Sequence, residues 1–236
     1  MQTPTLQIFS TFTRDILTNP EQGTTVIHPG GPALFLKQIF VEQGLPFVLH
    51  AGPVQDVLIR VEKSTEVGTV PIIPPNKRVE IEKDSPVLVS TVLNEWNPQE
   101  LSSLTRSVFI DVQGFVRVPG QSGTKQCWES FAGPWIESVR CLKATEEELR
   151  YLPPESVEDQ KQRLLLVTRG AHGVDVFAQG KLMSFTPSRV VSSSNTVGAG
   201  DTFFGQVVCG LLQQTPLEVC VVEAMEKTIL FLEKKS

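Results

Sequence analysis

The chain has no basic block and no excess of positive charge: 21 Lys and Arg stand against 26 Asp and Glu, for a net charge of -5. The electrostatic footprint of a nucleic-acid binder is missing, and no nucleic-acid partner is expected. No apolar run reaches the roughly 20 residues that cross a bilayer, and Met1-Gln2-Thr3-Pro4 lacks the basic and apolar blocks of a signal peptide. A cytoplasmic protein with no membrane partner is the expectation. The four cysteines, Cys127, Cys141, Cys209 and Cys220, form no C-x-x-C pair, and the three histidines, His28, His50 and His172, are dispersed. Zinc binding and a disulfide framework therefore lack support, and reduced structural thiols are expected. Three common signatures are missing as well: Gly-x-x-x-x-Gly-Lys-Ser/Thr, Gly-x-Gly-x-x-Gly opening a helix, and the Gly-x-Ser-x-Gly elbow. There is no internal repeat and no low-complexity tract.

What is present reads as one α/β domain spanning 1–236, with 40% hydrophobic and 20% charged residues. Apolar, β-branched runs at Phe47-His50, Val87-Thr91, Val108-Asp111, Val139-Leu142 and Leu164-Thr168 predict buried strands. Between them, Pro32 to Gln43, Pro98 to Thr105, Trp128 to Ile136 and Thr145 to Tyr151 suit helices. This alternation predicts a three-layer α/β/α architecture with a mostly parallel central sheet. The rhythm breaks at Gly173 to Phe185, where two short runs flank Gln179-Gly180 as in an antiparallel hairpin. Two long apolar-periodic segments follow, Gly198 to Gln213 and Pro216 to Glu233, and predict helices. Glu62 to Asp84, with Pro71, Pro74, Pro75 and alternating charges, is expected to be peripheral.

The sharpest chemical feature is Gly198-Ala199-Gly200-Asp201. Small residues at a helix start expose backbone N–H groups, which together with the helix dipole attract an anion such as phosphate. Asp201 follows directly and could take the proton of a substrate hydroxyl while the cradle stabilises a transferred phosphoryl group. The same residues also suit a tight turn with a first-turn acid. Glu146-Glu147-Glu148 after Thr145 reads as the acidic first turn of a helix with a capping box, since Thr precedes Glu by three residues. Thr168-x-Gly170-x-x-Gly173, which ends a strand and enters the hairpin, reads as a glycine-permitted turn.

Asn195-Thr196-Val197-Gly198-Ala199-Gly200-Asp201 resembles the second signature of pfkB-type (ribokinase-like) sugar and nucleoside kinases, an Asp-Thr-x-Gly-Ala-Gly-Asp pattern. Gly30-Gly31, Leu142 to Glu148 and Thr168 to Gly173 resemble further family segments in the same order. The resemblance implies ATP-dependent phosphorylation of a hydroxyl on a small sugar, polyol or nucleoside. Asp201 would be the base and Gly198, Ala199 and Gly200 the anion hole. Thr168, Gly170, Gly173 and Asn195 would border ATP, and Glu148 would organise water on Mg2+. Gly30 and Gly31 would let the acceptor approach the backbone, and Asp15 would accept hydrogen bonds from its hydroxyls.

Departures from the family pattern bound these implications. Asn195 stands where relatives carry Asp beside a monovalent-cation site, so potassium activation is not expected. Phe35 stands where relatives carry the Asn of Gly-Gly-x-x-x-Asn, and Thr145 replaces the amide of Asn-x-x-Glu. The chain is short for the family, and the deficit falls where a β-rich lid usually inserts, so a small or absent lid is expected within 55–85. A reduced lid leaves an open site, a narrow lid, or completion by a second subunit in a homodimer. These departures also motivate an alternative: a non-catalytic small-molecule-binding or regulatory protein that keeps the kinase fold.

Overall fold

The computed structural model describes residues 5–19, 23–62, 65–71, 84–102, 107–121, 123–193 and 195–235. In chain order the elements are β1 (Leu6–Ser10), β2 (Thr13–Asn19), β3 (Thr24–Gly30), α1 (Pro32–Glu42), β4 (Phe47–Ala51), β5 (Gln55–Glu62), β6 (Thr65–Thr69) and β7 (Val87–Ser90). They continue with α2 (Pro98–Ser102), β8 (Val108–Asp111), α3 (Gln113–Val116), β9 (Val139–Thr145), α4 (Glu146–Leu149), α5 (Pro154–Lys161) and β10 (Leu164–Thr168). The hairpin β11 (Val174–Ala178) and β12 (Lys181–Phe185) leads into α6 (Ala199–Leu212) and α7 (Leu217–Glu233).

Eight strands build the main sheet in the order β12-β11-β10-β9-β8-β7-β1-β4. The strands from β10 through β4 run parallel, and only the β11 and β12 edge is antiparallel. The alternation of each strand sends successive side chains to opposite faces. Leu6, Ile8, Leu88, Phe109, Leu164 and Leu166 join α1, α6 and α7 in one core. Phe9, Val89, Val108, Ile110, Leu165 and Val167 join Phe115, Trp128, Phe131 and Val157 in the other. The three-layer arrangement expected from the strand and helix alternation is therefore present. Among the described residues no helix is long and apolar enough to cross a membrane.

Some elements differ from their sequence expectation. Trp128 to Ile136 is not a helix: its aromatic rings are used in stacking, with Trp128 4.1 Å from Phe115 and 4.9 Å from Phe131. Only a 3-10 turn, Pro134–Ser138, follows Gly133, whose φ of 87° ends any regular helix upstream. The helix expected over Thr145 to Tyr151 stops at Leu149, and the chain continues only as tighter turns, with the Arg150, Tyr151 and Leu152 N–H groups donating to Glu147, Glu148 and Leu149 O. Of the expected helix at Pro98 to Thr105, residues 103–105 lie outside the described residues, and α2 covers Pro98–Ser102.

A second sheet has the order β3-β2-β5-β6. It is larger than the lid expected within 55–85, because β2 and β3 are contributed from upstream of that range. Their threonines, isoleucines and valines suit a pleated surface. β2 pairs with β3 antiparallel from Thr13↔Gly30 to Asn19↔Thr24, and with β5 in parallel from Thr13↔Gln55 to Thr18↔Arg60. Much of the stretch expected to be peripheral, residues 63–64 and 72–83, lies outside the described residues. Val57, Ile59 and Val70 beneath this sheet pack with Val92, Leu93 and Val197, seating it over the edge where the parallel strands end.

Phe40 on α1 is fully buried and packs against Phe47, whereas its neighbour Val41 is 63% exposed. Phe40→Ala is expected to lower the unfolding free energy by about 3–5 kcal/mol in urea titration, and Val41→Ala to change it by less than about 0.5 kcal/mol.

Candidate active site

The parallel strands point their C-terminal ends at one edge of the sheet, where β7 ends at Ser90, β8 at Asp111 and β9 carries Lys143. Helix α6 starts at the same edge. Gly198 adopts φ 86°, a left-handed conformation that glycine takes without strain, and it turns the chain into the helix. The Thr202 N–H donates to Gly198 O at 2.9 Å and the Ala199 N–H to Thr196 O at 3.1 Å. Asp201, in the first turn, is buried at 9% exposure. The Ser90 hydroxyl donates to Asp201 Oδ1 at 3.3 Å. Burial, and next the negative charge of Asp111, push the Asp201 carboxyl up to about 7, against the pull of Lys143, Arg117 and the Ser90 hydroxyl.

Lys143 and Asp111 are register partners on adjacent strands and form a buried ion pair, with Nζ 3.1 Å from Oδ1 and 3.0 Å from Oδ2. The Gln113 N–H also donates to Asp111 Oδ1, at 3.2 Å. Burial works against the Lys143 ammonium, but Asp111, Glu148 and Asp201 together outweigh it and raise its pKa. Lys143 also faces the start of α6: a methyl group placed on Gly200 would stand 3.1 Å from Nζ. Arg117, beyond α3, donates from Nη1 to Val92 O at 3.2 Å. Burial lowers its pKa, opposed by Glu148, Asp201, Asp111 and Glu95. Glu95 is itself held by the Val92 and Leu93 N–H groups, at 2.8 and 2.6 Å.

A cavity of about 270 Å³ lies between this edge and the second sheet. Its lining brings together Asp201, Gly198 and Gly200 with Asp15 and Gly31, five of the residues singled out from the sequence, and adds Thr13, Gln113 and Arg117. Phe35, Val57, Ile59, Val70 and Val92 supply the apolar part of its wall. Asp15 on β2 accepts from the Thr13 hydroxyl at 2.5 Å, and burial raises its pKa despite Thr13, Lys235, Arg117 and His28. Gly30 packs against that carboxylate so closely that a methyl group there would collide with Oδ2. Gly31, at φ 83°, sits against Thr11 O and Thr13 N. Phe35, which stands where the family pattern has Asn, lays its ring against Gly198, where a methyl group would collide with Cζ.

The remaining sequence candidates stand apart from this cavity lining. Thr168 ends β10 and donates to Ala144 O at 3.4 Å. Gly170 opens a 3-10 turn, and Gly173, at φ 95°, lets that turn approach Phe185 O. Asn195 accepts from the Val197 N–H at 3.1 Å, which shapes the loop ahead of Gly198. Glu148 completes a capping box: its Oε2 accepts from the Thr145 N–H at 2.8 Å while its own N–H donates to Thr145 Oγ1 at 3.1 Å. Among the described residues no group of three His, Cys, Asp or Glu side chains is placed to hold a metal ion. Ser90, Asp111, Gln113, Arg117 and Lys143 were not singled out from the sequence. A lone lysine inside the buried strand Cys141-Leu142-Lys143-Ala144 is the signal that could have found that pair, since a buried lysine requires a partner.

Asp201 has a folded-state pKa above its ordinary value of 3.8. Its contribution to stability is full below 3.8 and is lost as the pH rises through about 7. Asp201→Asn removes that loss. Its melting temperature at pH 8 is expected to exceed that of the parent by about 4 °C, with the gap closing near pH 4. Differential scanning calorimetry at the two pH values checks this.

Comparison with known proteins agrees with this geometry. Residues 132–225 match the model of the pfkB family carbohydrate kinases. No curated protein matches the sequence significantly. Among solved structures, a pyrophosphate-dependent kinase in the ribokinase family, complexed with a pyrophosphate analog and myo-inositol, superposes with a TM-score of 0.75. It is 17% identical, over 97% of this chain and 95% of that one. Ribokinase from Arabidopsis thaliana, complexed with ribose and ATP, superposes with a TM-score of 0.73 at 17% identity, over 100% of this chain and 94% of that one. A fructokinase double mutant from Vibrio cholerae, bound to fructose, ADP and potassium ion, gives 0.61 at 15% identity over 97% and 91%. The chain thus has the ribokinase-like fold, and its residues 132–225 match the pfkB carbohydrate kinase family.

Proposed function

We propose that this chain transfers the terminal phosphoryl group of ATP to a hydroxyl of a small sugar, polyol or nucleoside. One observation carries the reading: Asp201, with a carboxyl poised near neutrality, and Asp15 share one cavity whose rim is the start of α6. Asp15 would accept hydrogen bonds from acceptor hydroxyls, while Phe35, Val57 and Ile59 pack on its C–H faces. At about 270 Å³ the cavity matches a single ring better than a larger ligand.

In the transfer, the acceptor hydroxyl gives its proton to an Asp201 oxygen as its own oxygen attacks the terminal phosphorus. The bond from that phosphorus to the bridging oxygen breaks, and the leaving phosphate chain departs with the electron pair. The N–H groups of Gly198 and Gly200, together with the α6 dipole, would hold the phosphoryl oxygens, while the Ala199 N–H stays engaged with Thr196 O and fixes the turn. Lys143 and Arg117 add fixed positive charge beside them. A magnesium ion carried on the donor would neutralise its phosphate oxygens. Among the described residues no cluster of carboxylates would cage such an ion, and Glu148, engaged in its capping box, would reach it only through water. Thr168, Gly170 and Gly173 would border the nucleotide on the β10 side.

The test is product formation with ATP, and in parallel with pyrophosphate, across sugars, inositols and nucleosides. Acceptor-dependent turnover is expected, falling by at least about 1,000-fold in Asp201→Asn. Ligand binding without turnover for any pair of donor and acceptor would replace this reading with that of a binding protein.

Two pH predictions follow from the charges around Asp201. The base must be ionised to act, so kcat/KM is expected to rise with pH through a single ionisation near 7 and then level off. Lys143→Met removes a charge that favours the Asp201 carboxylate, so the acid limb should move upward by about one pH unit. A pH–rate profile of both proteins reads the shift.

A further inference from the structure

The back of the 195–198 loop meets one cation from the far end of the chain. Lys235, just past α7, donates from Nζ to Val197 O at 2.6 Å and to Asn195 Oδ1 at 3.4 Å. The same ammonium lies 4.6 Å from the ring centroid of Phe231 and 5.4 Å from that of Phe35. Those two rings meet edge to face at 5.6 Å, and Phe35 is the ring packed against Gly198. Two oxygens and two ring faces therefore converge on one positive charge, which is the environment a monovalent cation would select.

The position of this charge matters because of the peptide plane. The Val197 carbonyl and the Gly198 N–H belong to one planar trans unit and point in opposite directions. Fixing the carbonyl toward Lys235 turns the Gly198 N–H away from Lys235. That N–H has no acceptor among the described residues. Asn195 Oδ1 also accepts from the Val197 N–H at 3.1 Å, so the asparagine holds the peptide before Val197 and the ammonium the peptide after it. The Lys235 charge reaches the other end of the cavity too, where it favours the Asp15 carboxylate.

We propose that the Lys235 ammonium is a tethered monovalent cation that holds the 195–198 loop in its anion-binding geometry, so that the chain needs no free monovalent ion. Lys235 is thus a positioning residue: it acts through Val197 and Asn195. The inference rests on the phosphotransferase reading for its effect on turnover, and on loop geometry alone for its effect on anion binding.

The experiment measures kcat and KM of the full chain, Lys235→Ala and Lys235→Arg in sodium, potassium, ammonium, methylammonium and tetramethylammonium chloride at equal ionic strength. Binding of inorganic pyrophosphate is followed by calorimetry in the same salts. The parent should vary less than about twofold among the salts. Lys235→Ala should lose about 10- to 100-fold in kcat in sodium. It should recover severalfold in potassium, ammonium or methylammonium and not in tetramethylammonium, while Lys235→Arg stays salt-indifferent. Strong potassium activation of the parent overturns the proposal, as does an unimpaired Lys235→Ala, or a loss that no small cation repairs. If Lys235→Ala does not fold, a salt-dependent Lys235→Arg overturns it and a salt-indifferent one sustains it. If the parent turns over no acceptor, the kinase reading fails, and pyrophosphate binding decides alone. Weakening in Lys235→Ala with recovery in potassium sustains the tethered cation, and equal affinity in all proteins sinks it.

Discussion

At the ends of β8 and β9 the Lys143 ammonium sits within 3.1 Å of both Asp111 oxygens, almost fully withdrawn from water. Taking either charge out of water alone would cost several kcal/mol, so each needs the other. The pair also sets the field in which Asp201 works. Asp111 discourages the Asp201 carboxylate and Lys143 favours it, and burial tips the balance toward a pKa of about 7. A carboxylate left in water would ionise near 3.8 and be a weak base. The site therefore depends on a strand pair that lies beside Gly200 and is absent from the acceptor side of the cavity.

The glycine loop is fixed from several directions. Its front is the N-terminus of α6, with Gly198 in a left-handed conformation and Gly200 close to Lys143. Its back is gripped by Asn195, Lys235 and the Phe35 ring. The acceptor side is assembled from sequence-distant pieces, with Asp15 on β2, Gly31 ahead of α1, and Val57 and Ile59 on β5. Seating the second sheet over the strand ends turns an exposed edge into a half-open cavity, and the partial exclusion of water strengthens the charge interactions inside it.

Much of this was legible in the sequence, and the omissions have physical causes. The strands β8 and β10 and the hairpin β11–β12 were readable because fully buried strands appear as unbroken apolar runs between turns. The strand β1, next to the β4 edge, was missed, because Leu6-Gln7-Ile8-Phe9-Ser10 interleaves polar residues that are buried nonetheless. Strands β2 and β3 were missed for a related reason: much of their length is solvent-facing, so residues such as Arg14, Thr18 and His28 dilute the apolar signal. Gly198, Gly200 and Asp201 were found because a phosphate cradle and its base must be neighbours in sequence. Asp111, Lys143 and Arg117 meet only through strand pairing and the turn after α3, and no local pattern announces such a meeting. Phe35 and Asn195, read as departures from a family pattern, are in contact with Gly198 and Lys235, so the two departures belong to one rearranged loop support.

The central claim is that a hydroxyl bound beside Asp15 and Asp201 becomes a phosphate ester. Phosphorus NMR of the full chain incubated with donor and a panel of sugars, inositols and nucleosides observes that bond directly. The account predicts a new phosphomonoester resonance, coupled to a carbon-bound proton of one acceptor, that grows as donor is consumed. Donor consumed only to inorganic phosphate, or not consumed with any acceptor that binds, would contradict it.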